Sequence, residues 1–413
     1  MNGCTITQCR YCAAPLRVSV VDLGNQPYSN SYPRVEDLAQ ERSYPLQVRL
    51  CTECFLVQTD FDAPPDEIFS AEYAYFSSYS TSWVAHARKY AEQMISRFGL
   101  GAHSMVVEVA SNDGYLLQHF VERSIPCRGV EPTEGTARAA EAKGVPTEIA
   151  FFGESTARDL AARGFSADLM AANNVLAHVP GIADFVRGFA VLLKPEGVVT
   201  FEFPHLLQLF RLHAFDTIYH EHFFYLSLRA VERIFSDCGL RVFDIEQLTT
   251  HGGSLRVFAC RQSAARETSS SVSLVRKEEE AAGFATVSGY AGLEPAVARI
   301  KNETRAFAER VRAGGKRVAA YGAAAKGSTF LNTCGLKSND VILVADANVQ
   351  KQGRLMPGSH IPIVAPDDLR MLRPDYVIIL PWNLKTEIMN QLRDLRDAGT
   401  RFATAIPEFE IAP

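Results

Sequence analysis

The sequence predicts an α/β protein in three parts: a small cysteine-stapled module, then two parallel-sheet domains. Three observations carry that expectation. Cys9-x-x-Cys12 and Cys51-x-x-Cys54 stand near the start of the chain. From residue 105 short apolar runs alternate with amphipathic stretches. After an interruption, the same alternation begins again near residue 317. Strands alternating with helices argue for a parallel, doubly wound sheet. The expected division is 1–75 (module and linker), 76–265 (first α/β domain), 266–313 (helical connector) and 314–413 (second α/β domain).

Each C-x-x-C pair can place two thiolates on one tight turn, and two such turns can complete a tetrahedral zinc site with no open position. Cys9, Cys12, Cys51 and Cys54 are therefore the candidate ligands of a structural zinc, four of the nine cysteines. Residues 13–50 must then form an excursion between the pairs. Tyr11 and Pro15 beside the first pair, and Thr52 and Glu53 inside the second, suit knuckle turns. The competing readings are four unrelated thiols or a redox disulfide, and Cys4 could substitute as a ligand.

Bulk properties exclude several classes. A chain of 413 residues suits two or three domains. Its 47% hydrophobic and 22% charged content is that of a globular protein. A formal net charge of −5 leaves no basic surplus for binding nucleic acid by counterion release. The opening residues lack the basic and apolar regions of a secretory signal, and no apolar run reaches membrane-span length. The odd cysteine count and the paired C-x-x-C units suit a reducing cytoplasm. A cytoplasmic monomer acting on small molecules is expected.

Residues 63–76 open with Pro64-Pro65 and carry Phe69, Tyr73, Tyr75 and Phe76, which reads as a packed linker. Ser80 or Ser82 caps a helix to about residue 98, with Trp83, Ala87, Tyr90, Ala91 and Met94 at helical spacing. The first α/β domain should hold strands at 105–110, 127–130, 167–172 and 197–203, and helices at 114–123, 136–143, 182–193 and 226–238. Residues 241–247 and 254–260 alternate like an antiparallel pair at a sheet edge. Two helical stretches, interrupted near 283–292, form the connector. The second domain, of Rossmann type, should hold strands at 317–321, 341–345 and 376–380 and helices at 326–333 and 384–398.

The segment from Glu108 through Ala110, Asn112 and Asp113 to Gly114 lies between a predicted strand and helix. Small and polar residues there let a ligand approach the backbone, and a helix N-terminus favours negative charge. Glu131, followed by Pro132, ends the next strand, where an acidic side chain can accept both ribose hydroxyls. A dinucleotide site would show G-x-G-x-x-G, which is absent. S-adenosylmethionine, with a ribose but no pyrophosphate, fits better. Asn173 and Asn174, ending the third strand, could face its methionine part. A turn without a ligand is the plain alternative.

Together with Tyr219-His220-Glu221-His222, His251-Gly252-Gly253 and the run from Tyr321 and Gly322 to Lys326, these segments resemble the bacterial S-adenosylmethionine-dependent sugar C-methyltransferases of deoxysugar pathways such as mycarose, vancosamine and tetronitrose. The resemblance covers nearly the whole chain. It implies a zinc-binding N-terminal module, a central class I (Rossmann-like) S-adenosylmethionine domain, and a C-terminal Rossmann-like domain. It further implies that the outer domains close over a nucleotide-linked keto-sugar, in antibiotic biosynthesis.

Methylating carbon needs a base to remove a C–H proton beside a ketone, and donors for the enolate oxygen. The resemblance makes His222 the base, with Tyr219 as second base or enolate donor, and adds His178 and Tyr73 as active-site positions. Glu221 would orient a histidine or bind a sugar hydroxyl. His220 alone reads more readily as packing, although it is a candidate for substrate contact. The turn at Tyr321, Gly322 and Ala323, with Lys326, could hold a diphosphate, and Lys351, Arg354 and His360 could add charge. The function expected is methyl transfer to a carbon next to the ketone, C-3, of a thymidine-diphosphate 4-keto-deoxysugar. The alternatives are an O- or N-methyltransferase on the same scaffold, and a zinc-stapled binding protein without chemistry.

Overall fold

The structure is a computed structural model and describes residues 4–62 and 76–412, with the side chain of Cys4 outside the description. The predicted linker, Tyr73 included, lies almost wholly outside the described residues.

In the N-terminal module three strands, β1 (Val18–Gln26), β2 (Tyr44–Leu50) and β3 (Val57–Thr59), form an antiparallel meander. Its fourth strand comes from far along the chain. A two-residue strand, β9 (Phe224–Tyr225), pairs with β3 so that Phe224 faces Gln58. Thr59 adds a bond from its amide to the Phe223 carbonyl (3.0 Å). The module's sheet is thus completed by the segment that follows the Tyr219–His222 cluster.

The first α/β domain begins with α1 (Thr81–Phe98). Ser80 is its N-cap, accepting the Trp83 amide, and Gly99, at φ 62°, ends it. Ala87, Tyr90, Ala91 and Met94 form its buried stripe. The sheet is built from β4 (Val106–Val109), β5 (Cys127–Val130), β6 (Thr147–Glu148), β7 (Ala167–Asn173), β8 (Leu193–Pro204), β10 (Leu240–Leu248) and β11 (Ser254–Arg261). Its order is β10-β11-β8-β7-β4-β5-β6. The strands from β6 to β8 run parallel, while β11 is antiparallel to β8 and β10. The predicted edge pair is therefore β10 and β11. Every residue of β4 is buried, as a strand covered on both faces requires. Helices α2 (Glu134–Ala142), α3 (Ile182–Leu192) and α4 (Leu228–Asp237) cover the faces. The expected helix at 114–123 shrinks to residues Gln118–Val121, because the chain is still turning at Gly114, whose φ is 75°. Strand β6 and a helix at Glu154–Ala162 escaped the sequence reading.

The connector is α5 (Ser270–Ala281) and α6 (Leu293–Ala313). The last domain's sheet comprises β12 (Val318–Tyr321), β13 (Val344–Ala345), β14 (Ile363–Val364), β15 (Tyr376–Ile379), β16 (Arg401–Thr404) and β17 (Glu410–Ala412), in the order β14-β13-β12-β15-β16-β17. Only β17 is antiparallel. Helix α7 (Ala325–Cys334) follows β12 directly. The single helix expected at 384–398 breaks at Leu392 into Lys385–Gln391 and Arg393–Asp397.

Candidate active site

The two cysteine turns are built alike. Ala13 and Phe55, each following the second cysteine of its pair, sit at φ 58° and 59°. Their amides return to the carbonyls of Cys9 and Cys51 (both 2.9 Å). The four sulfurs lie within 4.8 Å of one another, with Cys9 and Cys54 3.6 Å apart and Cys12 and Cys51 3.4 Å apart. Those separations are too long for disulfides and suit thiolates around one tetrahedral zinc. The Gln58 amide nitrogen donates to Cys9 Sγ (3.1 Å), so the strand that receives Phe224 is also tied to a ligand.

At the C-terminal edge of the first α/β sheet, the turn after β4 is unusual. Ala110 and Asn112 hold positive φ, 57° and 49°, as does Asn174 after β7, at 53°. Strained non-glycine backbone of this kind clusters at ligand sites. Glu131 stabilises the turn: its two carboxylate oxygens accept the amides of Asn112 and Thr133, both at 3.0 Å, with Pro132 between Glu131 and Thr133. Gly114 packs against Ala140 and Val145, where a Cβ would come within 3.1 Å of either. Asp113 is buried, bonded to Ser78 and paired with Lys143 at 2.9 Å, and Asn112 Oδ1 accepts the Ser77 amide. Glu108 is fully enclosed beside Tyr115, and burial raises its pKa well above the usual carboxylate value. Oxygens of Asn173 and Asn174 are buried without a partner among the described residues. Orphaned polar atoms and strained turns at the same sheet edge fit a polar, ribose-bearing ligand such as S-adenosylmethionine.

The Tyr219–His222 cluster lies between the domains. His222 Nδ1 is 2.9 Å from the Thr217 carbonyl. A carbonyl only accepts, so Nδ1 carries the proton and Nε2 carries the lone pair. The Tyr219 ring lies 4.1 Å from the His222 ring, and His178 meets it edge-on at 4.7 Å. Burial above all, with the positive influence of His178, His251 and Lys326, drives the His222 pKa well below the ordinary value. Burial likewise brings His178, whose ring is held by the Glu221 carbonyl, to about 4, and His251 to about 4. All three are neutral at pH 7. Two adjoining cavities share Pro204, His205, Leu209 and Thr217; one reaches His222 and the other His251 and Trp382.

His220 and Glu221 face the N-terminal module. The His220 ring sits edge-on to Tyr28 and Phe61 and bonds the Pro45 carbonyl at 3.1 Å, away from the cleft. Glu221 accepts from Asn30 at 2.6 Å and is bonded to neither neighbouring histidine. Its burial raises its pKa to about 7.

In the last domain, the amides of Gly322, Ala323 and Ala324 donate to Ala345 O, Asp346 Oδ2 and Gly322 O, at 2.8, 2.7 and 2.8 Å. None of the three is left for a diphosphate. The residues expected to supplement charge have partners where the last domain meets the N-terminal module. Lys351 bonds the Ala323 carbonyl and lies over Tyr32, Arg354 bonds the Tyr32 carbonyl, and His360 meets Glu41 at 2.6 Å. Tyr321 reaches Gln391.

Comparison with known proteins decides the family. Over 404 residues, 98% of this chain and 96% of the other, the sequence is 35% identical to the C-methyltransferase NovU of Streptomyces niveus. The chain belongs to the C-methyltransferase family. Family models agree along its length: a zinc binding domain at residues 9–69, a methyltransferase domain at 83–245 and a C-methyltransferase C-terminal domain at 249–407. Solved structures that match part of the chain include magnesium protoporphyrin IX methyltransferase from Synechocystis PCC 6803 (14% identity, TM-score 0.34, 43% of this chain and 83% of that one). Another is an S-adenosylmethionine dependent methyltransferase from Mesorhizobium loti (14%, 0.34, 43% and 100%). This C-methyltransferase uses S-adenosylmethionine in its central domain and zinc in its four-cysteine module. No helix among its described residues is long and apolar enough to cross a membrane.

The sequence reading missed Asn30, Asp216, His251 as a cleft residue, and Trp382. His251 had one signal, the Gly-Gly pair after it. Trp382, one of two tryptophans, had only its rarity.

Proposed function

We propose that this enzyme methylates C-3 of a thymidine-diphosphate 4-keto-deoxysugar, beside the ketone, through an enolate. The supporting observation is His222: an imidazole with its Nδ1 proton committed to Thr217, a lone pair on Nε2, and a ring lining a cavity that adjoins the one reaching His251 and Trp382. His222 Nε2 takes the C–H proton. The electron pair moves onto the ketone oxygen as the enolate forms, and returns to make the new carbon–carbon bond. S-adenosylmethionine supplies the electrophilic methyl and leaves as the neutral thioether. Burial is what chiefly keeps His222 weakly basic, and the charge of Lys326, which also disfavours imidazolium, favours a neighbouring enolate. Tyr219, its ring tilted against that of His222 at 4.1 Å, would donate to the enolate oxygen. Glu221 with Asn30 and the region of Tyr73 would bind sugar substituents. The apolar walls from Phe203, Leu206 and Leu209 keep water from the reacting carbon.

Incubation with methyl-labelled S-adenosylmethionine and a panel of thymidine-diphosphate 4-keto sugars, deuterated beside the ketone, tests this. The expected product carries the label on carbon and has lost deuterium there. Absence of a C-methylated product across the panel removes the keto-sugar reading.

A further inference from the structure

Lys326 opens α7 and looks like a phosphate ligand in the sequence, but its surroundings point elsewhere. The three turn amides before it are used internally, and the Asp346 carboxylate occupies the place where a diphosphate would need positive charge. Tyr32 closes the same crevice, its hydroxyl bonded to the Ala323 carbonyl at 2.7 Å.

On its other side, the first turn of α7 grips the catalytic segment. Thr329 Oγ1 donates to the carbonyl of Ile218, the residue before Tyr219, at 2.9 Å. Ser328 Oγ donates to the carbonyl of Ser29, the residue before Asn30, at 2.9 Å. Lys326 Nζ donates to Asn383 Oδ1 (2.9 Å) and lies 5.1 Å from the Trp382 ring centre. Trp382 in turn donates to buried Asp216 (2.9 Å) and presses on Gly252, where a Cβ would come within 2.7 Å of the ring. That contact seats His251 beside the cleft. Trp382, beneath the ammonium, lines one cavity with His251, and that cavity adjoins the one at His222; the Lys326 charge lowers the basicity of both histidines. Asn383 engages one of its three N–H donors, which leaves others to meet a ligand.

We propose that Lys326 is a catalytic residue that stabilises the oxyanion formed on the substrate ketone while His222 removes the neighbouring proton. The inference rests on the enolate reading above. In the step, the C–H bond breaks, its proton goes to His222 Nε2, and its electron pair reaches the ketone oxygen. Lys326 donates a hydrogen bond to that oxygen and keeps its own proton. When the carbon–carbon bond forms, the carbonyl is restored and the charge leaves Lys326.

The test is solvent-deuterium exchange beside the ketone of thymidine-diphosphate 4-keto-6-deoxyglucose, with S-adenosylhomocysteine present, alongside calorimetric binding of the same sugar. Lys326→Met should slow exchange about 10²–10³-fold with sugar affinity changed less than about threefold. Lys326→Arg should recover part of the loss. Weakened binding with unchanged exchange at saturation would mean a diphosphate ligand and overturn the proposal. If Lys326→Met does not fold, Asn383→Ala, which frees the ammonium from its anchor, should slow exchange about tenfold, and an unchanged rate overturns the proposal equally. Wild-type enzyme that exchanges no deuterium from this sugar removes the enolate reading for it, and the Lys326 role with it. The two failures are thus distinguishable.

Discussion

The two α/β domains solve the same local problem with the same device and then use it differently. In each, an acidic residue at the end of the second strand accepts two amides: Glu131 takes those of Asn112 and Thr133, and Asp346 takes those of Ala323 and Asn348. Each carboxylate thereby braces the turn after the first strand. Around Glu131, strained backbone and orphaned amide oxygens leave that turn addressed to a ligand. Around Asp346, Tyr32 and Lys351 from two other segments fill the space. A shared fold therefore does not imply a shared use. We read the crevice of one domain as the cofactor site, whereas the other domain offers α7 to the segment that carries His222. The zinc module bridges them: its sheet takes β9 from the first α/β domain, and its loop with Tyr32 and Glu41 rests on the last domain.

The largest test of that contrast removes the bridge. Cys9→Ser should release zinc and destabilise the module by several kcal/mol, since zinc binding is coupled to folding. It should also slow turnover, because Gln58 joins Cys9 to the strand that pairs with Phe224. Zinc content, melting and kcat check this; unchanged zinc and melting would exclude the four-cysteine site. Next in size is His222→Ala, which should lower kcat by about 10²–10⁴-fold. Calorimetric affinity for S-adenosylmethionine should stay near the wild-type value, since that site belongs to the Glu131 side. A variant that remains fully active takes the base role away from His222.

Acidity gives a third test. Burial raises the Glu221 pKa from its unfolded value near 4.5 to about 7. A raised carboxyl pKa contributes stability that is complete below the unfolded value and is lost as pH rises through the folded one. Between pH 4.5 and 7 the loss amounts to about 3 kcal/mol, at about 1.4 kcal/mol per unit. Lowered histidines act oppositely: His178, His220 and His251, each near 4, cost stability as pH falls from about 6.5. Subtracting the melting profile of Glu221→Gln from that of the wild type should isolate a fall with rising pH; a flat difference would show Glu221 to be unperturbed. The smallest effects separate the two crevices directly. Asp346→Asn should cost about 1.5–3 kcal/mol of stability and leave S-adenosylmethionine affinity alone. Glu131→Gln should lose a similar amount of stability and weaken cofactor binding as well. Equal cofactor affinities in the two variants would break the comparison.

Much of this protein was legible in advance because its signals are local. The repeat of apolar runs located the long strands of the first α/β domain but not β1 and β2 of the zinc module, Ser80 marked the start of α1, and doubled C-x-x-C turns announced the zinc site. Polar residues crowded into Tyr219–His222 flagged the segment that carries the proposed base. Illegible parts were those made by distance. Asn30 meets Glu221 across 191 residues, and Tyr32 meets Ala323 across 291. Two-residue strands such as β9 are too short to show a period, yet β9 ties the zinc module to the cleft.

By itself, the sequence determined the three-part architecture and the four-cysteine metal cluster, because propensity, turn chemistry and burial pattern act over a few residues. Tertiary structure alone decided which way those groups serve. It set the His222 tautomer through Thr217, sent His220 into an aromatic packing site, and turned Lys326 from a closed crevice toward Trp382 and the histidines. Orientation, desolvation and charge at a site depend on what the rest of the chain brings beside it, and no local pattern encodes those neighbours.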